Sequence, residues 1–174
     1  LFGRSATSLP SSTVAVMPHS GSQIRQNVVV WCTAMSGVPF PELCPDSLEA
    51  VRWIVDAMNV IGTRPDGWWR DRHRAMAGLV DRLERWSRAE QVDVTVVFEQ
   101  PPVPPIESDV VTVAHAPAAA PNSADDEIVR LIGAQARPKQ VVVATSDRTL
   151  AERVRSAGAG VIPAERLRDL IDPR

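Results

Sequence analysis

Arg52-Trp53-Ile54-Val55-Asp56-Ala57-Met58, followed directly by Asn59, is an apolar, partly β-branched run interrupted by a single acid. A short run of this kind reads as a buried strand of a parallel sheet. The acid is informative, because a carboxylate at the end of an apolar strand is costly unless it is paired or bound to a cation. Working outward, short apolar strands alternate with amphipathic helices, the signature of βαβ units and a largely parallel sheet. Val92 to Phe98, Val110 to Ala114, Gln140 to Thr145 and Ala159 to Ile162 are the further predicted strands.

Between them, Asp71 to Ala89 places Met76, Leu79, Val80, Leu83 and Trp86 at helical spacing, with Arg and Glu on the other face. Pro101-Pro102-Val103-Pro104-Pro105 can only be loop. Pro117 to Asn122 is a second loop, leading to a helix over Asp125 to Ala136 with Ser123 as its predicted cap. Asp147 opens a helix running to about Ala157, with Gly158 as its C-cap, and Glu165 to Ile171 forms the last helix.

The 174 residues, 44% hydrophobic, suffice for one globular domain with some surplus. The surplus falls at the start, where Leu1 to about Ser47 is rich in Ser, Thr, Pro and Gly without helical or strand periodicity. The expected organisation is a disordered or loosely ordered segment over residues 1–50 and a folded domain over residues 51–174. The chain opens on Leu1, and Met17 and Met35 are candidate internal starts, so an overextended gene reading is one account of this segment. A native peptide spanning Met35 would rule out the later start.

A net charge of −2 supplies no global attraction to nucleic acid, so any such contact requires a local basic patch. Lys139 is the single lysine and Tyr is absent, a bias expected of GC-rich bacterial coding. Cys32 and Cys44 are too far apart in sequence for a C-x-x-C redox or zinc motif. No apolar run approaches the roughly 20 residues of a membrane helix, and Val28-Val29-Val30-Trp31 is shorter than a signal-peptide core. The expected location is the cytoplasm.

In open parallel sheets the ligand crevice lies at the carboxyl ends of the strands. The residues there are Asp56 and Asn59 after the first strand, Glu99 after the second, Asp125 and Asp126 after the third, and Thr145-Ser146-Asp147 after the fourth. Carboxylates converging on one rim repel each other, and oxygen-only ligands select Mg²⁺ or Mn²⁺ over zinc or copper. Such a centre suits phosphodiester hydrolysis. The competing reading of Asp125, Asp126 and Asp147 is plain helix capping, since all three stand at helix starts. The conjunction of four segments favours the metal site.

Three motifs carry a family resemblance. Ile54-Val55-Asp56-Ala57-Met58-Asn59-Val60-Ile61, Ser123-Ala124-Asp125-Asp126-Glu127-Ile128 and Ala144-Thr145-Ser146-Asp147-Arg148-Thr149-Leu150 resemble, in order, the motifs of NYN domains, particularly the YacP-like branch. The resemblance covers about Arg52 to Ile171. It implies a PIN-like, Rossmann-like three-layer α/β/α fold and an Mg²⁺- or Mn²⁺-dependent endoribonuclease cutting single-stranded RNA. It further implies metal ligation by Asp56, Asp125 and Asp147, with Asp126 and Glu99 as additional acids. Asn59 would orient Asp56 or a phosphate oxygen, and Thr145 and Ser146 would brace the last strand end. Messenger RNA or ribosome-associated RNA is the implied setting.

The chain departs from the family pattern at Ala57-Met58, where a Gly and an aromatic are usual, and at Phe98-Glu99-Gln100, where Phe-Asp-Gly is common. Trp68, Trp69, Arg70, Arg72, His73 and Arg74 form an aromatic and basic group suited to single-stranded RNA, or else a packed loop with a solvated basic face. Arg148 is a candidate phosphate contact, with a surface ion pair as the other reading. Two other functions compete: a non-catalytic RNA-binding module of the same fold, and a phosphate-handling domain of another doubly wound type. Against the last, the chain has no Gly-rich phosphate loop.

Overall fold

The computed structural model describes residues 51–117 and 122–173. The expectations for residues 1–50, with Cys32 and Cys44, and for the middle of the Pro117–Asn122 loop fall outside the described residues. The elements are β1 (Arg52–Asp56), α1 (Ala57–Gly62), α2 (Arg72–Glu90), β2 (Asp93–Phe98), β3 (Thr112–His115), α3 (Ser123–Gly133), β4 (Val141–Ala144), α4 (Arg148–Ser156), β5 (Gly160–Ile162) and α5 (Ala164–Ile171). Short 3₁₀ turns occupy Trp68–Arg70 and Pro138–Gln140.

The five strands form one sheet in the order β3-β2-β1-β4-β5, and every pairing is parallel. Successive side chains of a strand face opposite ways, which divides β1 between two cores. Trp53 and Val55 pack with α1, α2 and α5 on one face, where the stripe Met76, Leu79, Val80, Leu83 and Trp86 is buried. Trp53 and Trp86 meet edge to face, with ring centroids 5.0 Å apart. Ile54 lies on the other face with Val141 and Val143, under Ala124, Ile128 and Ile132 of α3 and Leu150 and Val154 of α4. The fold is therefore the expected three-layer α/β/α domain with a parallel central sheet.

Helix boundaries follow from local hydrogen bonds. Asp71 caps α2, its Oδ1 accepting the Arg74 N–H at 2.9 Å, and Asp147 caps α4 in the same way through Leu150 N–H at 2.8 Å. Gly158 follows α4 with φ +87°, a left-handed conformation that glycine adopts without steric cost. The last turn of α5 is held by Asp172, whose Oδ2 lies within ion-pair distance of Arg64, Arg82 and Arg168 at 3.0 to 3.2 Å.

Several boundaries differ from expectation, and local structure accounts for four of them. The first strand stops at Asp56 instead of reaching Met58, because Asp56 turns from strand residue into the N-cap of the unanticipated α1. The third strand begins at Thr112, two residues late, because Ser108 Oγ accepts the N–H groups of Val110 and Val111 at 3.2 and 2.9 Å and holds them in a turn. Gln140 belongs to a 3₁₀ turn, so the fourth strand starts at Val141. Ser123 is the first residue of α3 and not its side-chain cap: its hydroxyl donates to the Glu99 carbonyl at 3.2 Å, and Asn122 precedes the helix at φ 61°. Among the described residues, no helix is long and apolar enough to cross a membrane.

Candidate active site

Chain order along the sheet reverses at β1: β2 and β3 lie to one side, β4 and β5 to the other. The helices leaving β1 and β4 depart from opposite faces, which opens a crevice at the carboxyl ends of these two central strands. Asp56 closes β1, in register with Val97 of β2, and Thr145 follows the last residue of β4.

Asp56 is only 4% exposed and heavily hydrogen-bonded. Its Oδ2 accepts Asn59 Nδ2 at 2.7 Å and Thr145 Oγ1 at 2.9 Å, while Oδ1 accepts the Asn59 backbone N–H at 3.3 Å. Burial pushes its pKa up, the hydrogen bonds from Thr145 and Asn59 pull it back, and the Asp147 charge adds a further rise. Thr145, itself buried, also accepts the Asp147 backbone N–H at 3.1 Å. One hydroxyl thus links the acid after β1 to the acid after β4.

Asp125, in the first turn of α3, completes the group. Its pKa is pushed up to about 6, by burial first and then by the charges of Asp56 and Asp147, with Arg153 opposing and Asp126 adding slightly. The strand ends of β1 and β4 and the start of α3 therefore bring Asp56, Asp125 and Asp147 within electrostatic reach of one another.

The other candidate acids point elsewhere. Asp126 pairs with Arg153 at 2.7 Å and its side chain is 72% exposed. Glu99 pairs with Arg72 at 3.4 Å near the start of α2, and it is not among the charges that shift Asp56 or Asp125. Ser146 Oγ accepts the Ala164 N–H at 3.1 Å, fastening the loop after β4 to α5. Arg148 is exposed beside Asp147, and its side chain makes no hydrogen bond or ion pair with another described residue. In the 3₁₀ turn before α2, Trp68 packs against the core while Trp69 and Arg70 are exposed. His73 Nε2 lies 2.8 Å from the Pro104 carbonyl, and His115 Nδ1 lies 3.0 Å from the Ala116 carbonyl.

One contributor, Arg153, escaped sequence reasoning, and the role of a second, Ser123, read there as a helix cap, was different. Arg153 lowers the Asp125 pKa from the neighbouring helix, and Ser123 ties the start of α3 to the end of β2. Neither role left a sequence signal, since both depend on how α3 and α4 pack.

Asp56, Asp125 and Asp147 offer oxygen donors only; burial is the main cause of the raised pKa values of Asp56 and Asp125, and the mutual repulsion that adds to it is what a divalent cation would relieve. The donor chemistry therefore fits Mg²⁺ or Mn²⁺. Among the described residues, no three acidic, histidine or cysteine side chains already stand at metal-ligand spacing.

An all-parallel sheet of this order, with aspartates gathered at its switch point, defines a doubly wound α/β domain. Residues 53–173 match the YacP-like NYN domain, and the chain belongs to that family. It is similar to the crystal structure of Rae1 (YacP) from Bacillus subtilis, with 25% identity and a TM-score of 0.57 over 71% of this chain and 74% of that one. A point mutant of the same protein matches at 24% identity and a TM-score of 0.57, over 70% of this chain and 76% of that one. No curated protein sequence matches the chain. NYN domains are a ribonuclease family with a PIN-like nuclease fold, acting on RNA and generally using divalent metal ions.

Proposed function

We propose that this protein is a metal-dependent endoribonuclease that cleaves single-stranded RNA at the crevice between β1 and β4. The observation that carries the reading is the convergence of Asp56, Asp125 and Asp147, two of them with raised pKa values. These three side chains would hold Mg²⁺ or Mn²⁺, with Asp126 and Glu99, engaged by Arg153 and Arg72, as outlying acids. When bound, the cation supplies Lewis acidity toward the phosphate and makes water a better nucleophile at neutral pH.

The chain's own residues supply placement. Thr145 and Asn59 fix both carboxylate oxygens of Asp56, Asp147 is held by the N-terminus of α4, and Ser146 anchors their connecting loop. Arg148 is free to meet a phosphate oxygen. Water attacks phosphorus in line, the bond to the 3′ oxygen breaks, and the products carry a 5′-phosphate and a 3′-hydroxyl. Cytoplasmic messenger RNA or ribosome-associated RNA is the proposed setting.

A non-catalytic RNA-binding module is favoured by one feature, the absence of a ready-made ligand cage among the described residues. Labelled single-stranded RNA incubated with Mn²⁺, Mg²⁺ or EDTA separates the two. Cleavage that requires metal and disappears in Asp56→Asn and Asp147→Asn establishes the nuclease. Binding without cleavage across several RNAs and metals establishes the module.

A further inference from the structure

Trp69, 55% exposed, and Val103, 84% exposed, are the large hydrophobic side chains left in solvent among the described residues. Both belong to the carboxyl edge of the sheet, where the crevice opens. Trp69 lies in the 3₁₀ turn immediately before α2, and Val103 is at the tip of the proline loop that follows β2. A carbonyl can only accept, so His73 Nε2 donates to Pro104 O at 2.8 Å and fastens this tip to the first turn of α2. The two apolar groups therefore stand at the same helix end. That end lies along the same sheet edge as the site: Arg72 reaches Glu99, just past the end of β2, the strand paired with β1.

Trp69 is held in place. Trp68 packs into the core and meets it edge to face, centroids 6.1 Å apart at 81°, so Trp69 keeps an open ring surface on a fixed support. The surrounding charge is positive in a chain of net charge −2. Arg70 and Arg74 have exposed side chains without a described protein partner, whereas Asp71 is engaged in capping α2 and Arg72 makes only a surface pair with Glu99. An aromatic face flanked by unpaired guanidinium groups complements an unpaired base with its adjoining phosphates.

We propose that Trp69 is the platform on which an unpaired base of the RNA stacks, with Val103 flanking it and Arg70 and Arg74 on the adjoining phosphates. This rests on the RNA-substrate reading and is independent of cleavage. It gives single-strand preference a physical cause, since a base inside a duplex has no free face to offer Trp69.

The test is binding of a labelled single-stranded RNA, and of a duplex of equal length, to the full chain in EDTA, so that cleavage plays no part. Trp69→Leu is expected to weaken single-strand binding roughly tenfold and leave duplex binding unchanged, while Trp69→Phe keeps most of the affinity. Quenching of tryptophan fluorescence by single-stranded RNA should be lost with Trp69→Leu, and Arg70→Gln or Arg74→Gln should each reduce the salt slope by about 0.7. Wild-type single-strand affinity in Trp69→Leu, or equal losses for single strand and duplex, would overturn the platform, as would a wild-type chain that binds no single-stranded RNA. Trp69-dependent binding in a chain that never cuts RNA with any metal would support the platform and remove the nuclease reading.

Discussion

Thr145 Oγ1 donates to Asp56 Oδ2 at 2.9 Å and accepts the backbone N–H of Asp147 at 3.1 Å, joining the ends of the two central strands through one oxygen. The link sets the spacing of two acids that belong to segments about ninety residues apart. Because Thr145 is buried, water does not readily replace either bond.

Thr145→Val keeps the shape and removes both bonds. It should cost about 1 to 3 kcal/mol in urea unfolding, from the unsatisfied Asp147 N–H and the lost partner of Asp56. RNA cleavage should fall about 10- to 100-fold, the range for groups that orient metal ligands. Thr145→Ser should recover most of the activity; if Val cleaves like wild type, the link has no role in positioning.

The raised pKa of Asp125 sets a pH dependence. The folded chain holds this proton up to about pH 6, against an ordinary value of 3.8, so it binds the proton more tightly than the unfolded chain. Its contribution to stability is therefore greatest when protonated and is lost as pH rises from about 4 to about 6. Asp56, also raised, acts in the same direction. Thermal midpoints in EDTA should show this loss, and Asp125→Asn should flatten it. Added Mn²⁺ should stabilise the wild type more at pH 7 than at pH 5, because protons compete for the same oxygens.

Gly158 carries φ +87°, and a Cβ there would meet only ordinary contact with Pro138, at 3.7 Å. The cost of Gly158→Ala is therefore conformational, about 1 to 2 kcal/mol. Urea unfolding should report it with RNA cleavage at native conditions unchanged, since the residue sits at the far end of α4 from Asp147. Unchanged stability would show that the turn relaxes.

A chain trimmed to begin at Ser47 should fold and keep RNA cleavage, since the described core and all three aspartates lie beyond it. Circular dichroism and the cleavage assay check this, and an insoluble product would place part of the fold upstream.

Much of the architecture was legible because burial imposes periodicity. The stripe Met76, Leu79, Val80, Leu83 and Trp86 set the longest helix to within one residue at either end, and the apolar runs Val92 to Phe98 and Gln140 to Thr145 marked interior strands to within one residue. The helix Ala57–Gly62 was hidden, because Ile54 to Ile61 is almost continuously apolar and a period of 2 cannot be told from one of 3.6 where both faces are buried. The start of Thr112–His115 was misplaced because the Ser108 hydroxyl, a local competitor for backbone N–H groups, decides it.

What the sequence determined by itself is the set of strand-end residues: acids placed after apolar strands, at positions where a parallel sheet must open its crevice. Tertiary structure alone decided which of those acids face one another. Asp56, Asp125 and Asp147 share a field because β1 and β4 are neighbours and α3 packs back across the sheet, while Arg153 draws Asp126 outward and Arg72 draws Glu99 aside. The division has a physical cause. Hydrophobic periodicity is a local property that each segment displays alone, whereas the energy of a charge depends on distances between segments that exist only once the sheet has formed.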